Sequence, residues 1–401
     1  MNVLFLTLVN VQSLSAHGIY EDLLREFAAN GHQVYIASPA ERRLGEKTHL
    51  IHQDNCTILR VQIGNVQKTN LIEKGISTVL LESQFIQALK KYCADVKFDL
   101  VLYSTPPVTL AKAVEYIKQR DGAKSYLLLK DIFPQNAVDL GMMTRTGPKS
   151  VLYRFFRAKE KKLYALSDRI GCMSPANVEF LLKQDPWLDA SNVEVCPNSV
   201  EPVDQTVTPA QRSALREKYG IPQEKIVFLY GGNLGRPQGI PFLIDCLRAN
   251  AEKDDRFFVI CGTGTEYGKL QAYVESEHPS NVLLLNGLPH DEYEAFTAAC
   301  DVGLLFLDYR FTIPNFPSRL LSYLQASMPV IACTDPNTDI GTIAAEGGFG
   351  WKCLSNDVSA FTATVDEACQ ADLVSMGQTG RTYLMEHYTV EKGYDIIMKG
   401  R

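Results

Sequence analysis

The chain has 401 residues, 46% hydrophobic and 21% charged, which is enough for two packed cores and too apolar for a disordered or fibrous protein. Its formal net charge of -6 lacks the basic balance that holds a polyphosphate chain, so nucleic acid is not an expected partner. Ten cysteines lie scattered without a CxxC pair, several inside apolar runs such as "FFVICG" and "PVIACT", and they read as reduced core residues of a cytoplasmic protein.

"MNVLFLTLV" at the start has no basic residues before it and is followed closely by a helical stretch and another strand, so it reads as the first strand and not a signal peptide. No run is long and apolar enough to span a membrane. "VLFLTLV", "HQVYIAS", "TILRVQ", "DLVLYS", "SYLLLK", "RIGCMS" and "VEVCP" are the strands expected in the first half. Helices are expected over 19–30, ending at Gly31, and over 76–93, 107–120, 148–166 and 175–184. This alternation predicts a parallel sheet covered by helices on both faces.

Three features of this half can carry chemistry. His17 and Gly18 follow the first strand and can line an acceptor side; a structural histidine fits equally. Asp131 ends the strand "SYLLLK", where a carboxylate can orient a hydroxyl or take its proton, and a helix cap would use the same residue. Residues 149–162, "KSVLYRFFRAKEKK", combine six cations with Leu152, Tyr153, Phe155 and Phe156. Such a helix can lie on an anionic membrane, or pack by its aromatic face with its charges in water.

Residues 199–210, "SVEPVDQTVTPA", are polar and aperiodic and read as a linker. The pattern then restarts with strands "KIVFLYG", "FFVICG", "NVLLLNG", "VGLLFL" and "PVIAC". The expected fold class is therefore α/β, with two doubly wound Rossmann-like domains over 1–200 and 201–380 facing across a cleft, and a final helical segment over 381–401. Ligands of such sheets sit at the carboxyl ends of the strands.

"YGGNLGRPQGI", residues 230–240, leaves its strand through four glycines, and a helix expected near Pro241 aims its positive end into the same space. Gly232, Asn233, Leu234 and Gln238 are candidates for an anion-binding loop, and the planar fork of Arg236 suits a phosphate. "ICGTGTEYGKL" adds Gly262, Thr263 and Gly264, and "LLNGLPHDEY" adds Gly287, Leu288 and Pro289, where backbone groups can meet a base edge. In "NFPSRLLSYLQASMPVIAC" Ser318 reads as the start of a short helix, Arg319 as its first turn, and Ser322 as sharing their face.

Together these stretches resemble the C-terminal half of the family-four glycosyltransferases of the GT-B fold, through "YGGNLGRPQG", "CGTGTEYGKL", "NGLPHDEYEAF", "DVGLLFL", "FPSRLLSYLQASMPVIA" and "GGFGW". The first half is similar to capsule and O-antigen members, through "GHQVYIAS", "STPPVTLA", "LLLKDIFPQNAVDLG", "KEKKLYALSDRIGCMSPANVEFL" and "PNSVEP". The resemblance implies a retaining hexosyl- or N-acetylhexosaminyl-type transferase that uses no metal and no cofactor, with a nucleotide-sugar, UDP-linked by family habit, as donor. It implies a saccharide acceptor, such as one carried on undecaprenyl diphosphate, at the cytoplasmic face of the plasma membrane. Asp131 matches the aspartate of the group's "DIFP" motif, Arg236 and Arg319 are the expected stabilisers of the departing diphosphate, and the last segment is expected to return to the first domain.

The departures are specific. Members commonly carry two glutamates near the donor, where this chain has Pro314 and Ser322, and a serine cannot replace a carboxylate that accepts from two ribose hydroxyls. Gln238 stands where many members have lysine, Ser199 where glycine is usual, and the loop "NVQSLSAHG" has one glycine. A catalytically silent nucleotide-sugar-binding partner and an epimerase of the same fold stay open as alternatives. A nicotinamide-dependent oxidoreductase is disfavoured, because no GxGxxG follows the first strand.

Overall fold

The computed structural model describes residues 1–66, 71–148, 150–205 and 207–399. They form two compact units, Met1–Glu201 with Val390–Arg401, and Pro202–Thr389.

The first unit is built on eight strands: β1 (Asn2–Leu6), β2 (Gln33–Glu41), β3 (His49–Gln53), β4 (Cys56–Ile63), β5 (Leu100–Thr105), β6 (Lys124–Leu129), β7 (Arg169–Cys172) and β8 (Val193–Val195). Their order is β3-β4-β2-β1-β5-β6-β7-β8, with β3 antiparallel to β4 and the other pairs parallel. Helices cover both faces, so Val3, Leu4, Phe5 and Leu6 on β1 are all at most 1% exposed. That is why β1 reads as an unbroken apolar run and not an alternating one. The sequence expectation missed β3, whose "HLIHQ" is half polar because this edge strand has little to bury. The expected helix 107–120 begins instead at Ala111.

The second unit carries β9 (Ile226–Asn233), β10 (Arg256–Thr263), β11 (Val282–Leu285), β12 (Val302–Phe306), β13 (Val330–Thr334) and β14 (Gly350–Leu354). They pair in parallel in the order β11-β10-β9-β12-β13-β14. The chain winds outward from β9 in one direction and from β12 in the other, so the order reverses between them. The helix Val390–Met398 returns to the first unit, where the Val390 N–H donates to Val200 O (3.1 Å) and Tyr394 bonds His32 (2.9 Å).

All ten cysteines are free, and eight of them are buried. Burial pushes the Cys261 thiol up to about 11, which keeps it protonated and inert.

Candidate functional site

Where strand order reverses, the segments leaving neighbouring strands diverge and open a crevice. In the second unit that place is the carboxyl end of β9, and the glycine-rich segment sits there. Its glycines do different jobs. A side chain on Gly231 would fall 1.7 Å from Tyr293 Oη, one on Gly262 1.8 Å from Gly232 O, and one on Gly264 2.3 Å from Leu234 O. Gly262 and Gly264 let β9, β10 and the next loop pack backbone on backbone, and Gly231 leaves room for the Tyr293 ring. Gly232, with φ +119, and Gly239, with φ +60, supply the left-handed turns that only glycine makes at no cost.

The loop after β9 is braced from within. Gln238 Oε1 accepts from Asn233 Nδ2 and from the Gly235 N–H, both at 3.0 Å. Leu234 is fully buried, its N–H donates to Thr263 O (2.8 Å) and its carbonyl accepts from Glu266 (2.9 Å). The Leu234 backbone and Gln238 Oε1 therefore brace the loop itself. The helix after the loop spans Ile240–Ala249, and Arg236 opens a separate short turn, Arg236–Gln238. The Arg236 side chain is 60% exposed, with Glu266 Oε1 4.0 Å from its Nε.

Arg319 is placed very differently. Its guanidinium lies 4.4 Å from the Tyr230 ring centroid, and its Nη2 comes so near Gly232 that a β-carbon there would stand 2.6 Å away. Its Nη1 is buried, with no hydrogen-bond partner among the described residues. Tyrosines 230, 293 and 323 surround it, and among the described residues no carboxylate pairs with it. Tyr323 is locked by the sheet: it accepts from the Gly231 N–H (3.1 Å) and donates to Leu229 O (3.0 Å).

The segment that positions Arg319 is a helix over Arg319–Gln325. Ser318 stands at the start of this helix, as expected, in helical backbone geometry, and its hydroxyl makes no capping bond. Ser322 sits one turn on from Arg319. The strand-end motifs do converge, because Gly232 pairs with Gly262 and Asn233 with Thr263 across β9 and β10. A β-carbon added to Gly287, which has φ +73, would stand 3.3 Å from the Thr263 methyl. Leu288 is half-buried, and Pro289 leads into the helix His290–Thr297.

In the first unit Asp131 follows β6. Asn136 Nδ2 donates to its Oδ2 (2.7 Å), Thr105 Oγ1 donates to its carbonyl (3.0 Å), and its Oδ1 is buried without a partner. Burial pushes its pKa up to about 6. Lys130, the residue before it, is pushed down to about 8 by burial. His17 is half exposed, with Nδ1 3.6 Å from Asp22 Oδ1 and 3.4 Å from Arg25 Nη2. Gly18 precedes the helix Ile19–Ala29, and its N–H donates to Asp22 Oδ1 (3.1 Å).

His17, Asp22 and Glu201 have their ligand atoms within 4.8 Å of one another, as a metal site would. However, Arg25 Nη2 contacts the Asp22 carboxylate and also Glu201 Oε2 (3.0 Å), so a fixed cation already occupies the centre. The cluster is an ion-pair network at one end of a groove of about 920 Å³ bordered by Ser13, Arg25, His52 and Glu391.

Residues 211–381 match the family model "Glycosyl transferases group 1", and that span contains every donor-side element just described. The chain carries a group 1 glycosyl transferase domain. The glycosyltransferase is similar to "Probable glycosyltransferase WbjE" of Pseudomonas aeruginosa, 27% identical over 328 residues that cover 80% of this chain and 78% of the relative. Among solved structures it resembles the sucrose-phosphate synthase of Thermosynechococcus elongatus, with TM-score 0.74 and 17% identity over 98% of this chain and 97% of that one. It also resembles WaaG, described as "a glycosyltransferase involved in lipopolysaccharide biosynthesis", with TM-score 0.65 and 15% identity over 99% of this chain and all of that one. The fold is GT-B, with two Rossmann-like parallel-sheet units.

The basic helix of the glycosyltransferase spans Ser150–Leu166. Lys149 lies outside the described residues. Arg157 pairs with Asp185 (2.7 Å) and Glu160, Lys159 with Glu82 (2.5 Å), and Lys162 with Glu115 (2.6 Å). These cations hold helices together and are not a free basic face. Only the first turns expose apolar surface, at Val151 (63%), Leu152 (50%) and Phe155 (45%), beside the exposed Arg154. Among the described residues no helix is long and apolar enough to cross a membrane.

Sequence reasoning missed the tyrosines around Arg319 and missed Asn136. Tyr230 lies inside the apolar run "KIVFLYG" and reads as core; the one available signal was an aromatic residue directly before a glycine pair.

Proposed function

We propose that this glycosyltransferase moves a sugar from a nucleotide-sugar, UDP-linked in the first instance, to a saccharide acceptor carried on a lipid diphosphate. The transfer proceeds with retention and without a metal ion, in bacterial surface polysaccharide synthesis. The observation that carries the proposal is Arg319: a guanidinium held over Tyr230 at the switch of the sheet, with a buried donor left unpartnered. Breaking the glycosyl phosphate bond leaves negative charge on the diphosphate, and a preorganised, poorly hydrated cation stabilises that charge as it develops.

Arg319 meets the diphosphate, and the exposed Arg236 folds onto it once the ligand is present. The backbone of Gly232, Thr263 and Gly264 follows the phosphates, and Gly287, Leu288 and Pro289 meet the base. Asp131 orients the attacking hydroxyl and takes its proton, with His17 and Gly18 on the acceptor side. The donor class is supported by likeness in fold to a structure described as "Trehalose-6-phosphate from E. coli bound with UDP-2-fluoro glucose", with TM-score 0.72 and 12% identity over 99% of this chain and 98% of that one. The polysaccharide setting is supported by the wording attached to WaaG. The exposed apolar end of the helix Ser150–Leu166 supports contact with the membrane face where a lipid-linked acceptor resides.

The test is a transfer assay with bacterial lipid extract as acceptor and UDP-, GDP- and dTDP-sugars as donors, followed by mass spectrometry of the glycolipids and repeated in excess EDTA. A glycolipid heavier by one sugar, formed equally with EDTA, supports the proposal. Binding of a nucleotide-sugar with no product would favour the silent-partner reading that Pro314 and Ser322 raise.

A further inference from the structure

The acceptor side carries a pair of orphaned oxygen atoms. Asp131 and Asn136 are joined by one hydrogen bond, Asn136 Nδ2 to Asp131 Oδ2 at 2.7 Å. A carboxylate only accepts, so the amide must turn its NH2 toward it, which sends the amide oxygen the other way. Both leftover oxygens, Asp131 Oδ1 and Asn136 Oδ1, are buried without a hydrogen-bond partner.

The backbone gives neither residue freedom to relieve this. Thr105 Oγ1 holds the Asp131 carbonyl (3.0 Å), and the Asn136 N–H donates to Ile132 O (3.1 Å). A buried acceptor without a donor is costly, and in a folded protein such a group marks a place where a partner is missing.

We propose that Asn136 is a positioning residue for Asp131, and that the leftover oxygens each receive an uncharged hydroxyl group of the acceptor sugar. This rests on the role given to Asp131 above. Each leftover acceptor calls for a donor, and sugar hydroxyls supply donors. A carboxylate or phosphate brings only acceptors and a like charge, so a uronic acid or phosphorylated sugar is rejected at this point.

The surroundings of Asp131 make its ionisation sensitive to Asn136. Its polar neighbours are the Ile132 N–H and the Asn136 amide, and among the described residues it has no ion pair. Lys130 faces Cys172 and Cys196, while Asp139 and Arg145 are both engaged by the Gln135 amide. Among the described residues Asn136 is thus its one side-chain donor.

The test uses the full-length protein and two readouts. Infrared-detected titration of the Asp131 carboxyl, assigned by difference from Asp131→Asn, is compared in the wild type and in Asn136→Ala. Asn136→Leu, which keeps the volume, replaces the alanine variant if that fails to fold. Loss of the donor moves the midpoint upward by roughly half a pH unit or more; an unmoved midpoint overturns the positioning role. Saturation-transfer NMR then compares methyl mannoside and methyl galactoside with methyl glucuronide. Binding of a neutral glycoside that falls about tenfold in Asn136→Ala is expected, with none for the glucuronide. Equal binding of the glucuronide, or no effect of Asn136→Ala, overturns the hydroxyl receptor. Asp131→Asn with transfer intact would instead remove the role of Asp131 and leave the titration result standing, so the two failures are separable.

Discussion

The Arg319 guanidinium lies 4.4 Å from the centroid of the Tyr230 ring, and its Nη1 has no hydrogen-bond partner. The ring face returns about 0.5 to 2 kcal/mol, which does not match the hydration that a buried guanidinium gives up. Arg319→Met, which keeps the stem and removes the charge, should therefore raise the melting temperature of the ligand-free protein by about 2–4 °C while abolishing transfer. Calorimetry on both forms checks this, and a melting temperature lower than that of the wild type would refute it.

Gly262→Ala sets backbone against backbone, because its β-carbon would fall 1.8 Å from Gly232 O and neither strand can give way. A loss of about 2–4 kcal/mol is expected from chemical denaturation. Gly268→Ala, which meets nothing within 4 Å in the helix Tyr267–Glu277, should be neutral or slightly stabilising. Equal effects of the two would show that the β9–β10 approach is not tight.

The pKa of Asp131 is raised by burial from 3.8 to about 6. The folded state therefore holds this proton more tightly than the unfolded chain does. Its stabilising contribution is full below 3.8 and is lost as the pH rises through about 6. Asp131→Asn avoids that loss, so it should be more stable than the wild type above pH 6 by about 1–3 kcal/mol, with the gap closing toward pH 4. Transfer by the wild type should rise through pH 6, and the variant should be inactive throughout. Denaturation series at several pH values and a pH–rate profile check both halves.

The exposed start of the helix Ser150–Leu166 gives a surface prediction. Leu152→Glu with Phe155→Glu should leave the melting temperature within about 2 °C, because both side chains are exposed, and should lower binding to vesicles containing phosphatidylglycerol severalfold in a flotation assay. Unchanged flotation would place membrane contact elsewhere or remove it.

Much of the fold was legible because fully buried parallel strands announce themselves as unbroken apolar runs, and "KIVFLYG" and "FFVICG" became β9 and β10. The edge strand β3 was not, since "HLIHQ" has one face in water and half its residues polar. The place of Arg319 in the first turn of a short helix was legible. What holds it was not, because a tyrosine in an apolar run gives no sign of whether its ring faces core or cation. The glycines were legible as a group, yet their division of labour depends on register: Gly262 is required by Gly232 of the next strand, a pairing no local pattern carries. The loop members Leu234 and Gln238 read as ligand groups, and the bracing that the Leu234 backbone and Gln238 Oε1 give the loop was not legible.

The central claim is that Arg319 receives the diphosphate of a nucleotide-sugar. The most direct measurement is thermal stabilisation by UDP-, GDP- and dTDP-sugars of the wild type beside Arg319→Met, since a ligand that binds the folded state raises its apparent stability by about 2.7 kcal/mol at a hundred times Kd. A rise with one nucleotide class in the wild type and none in the variant is the expected result. Equal stabilisation of both proteins, or of neither, would contradict the claim.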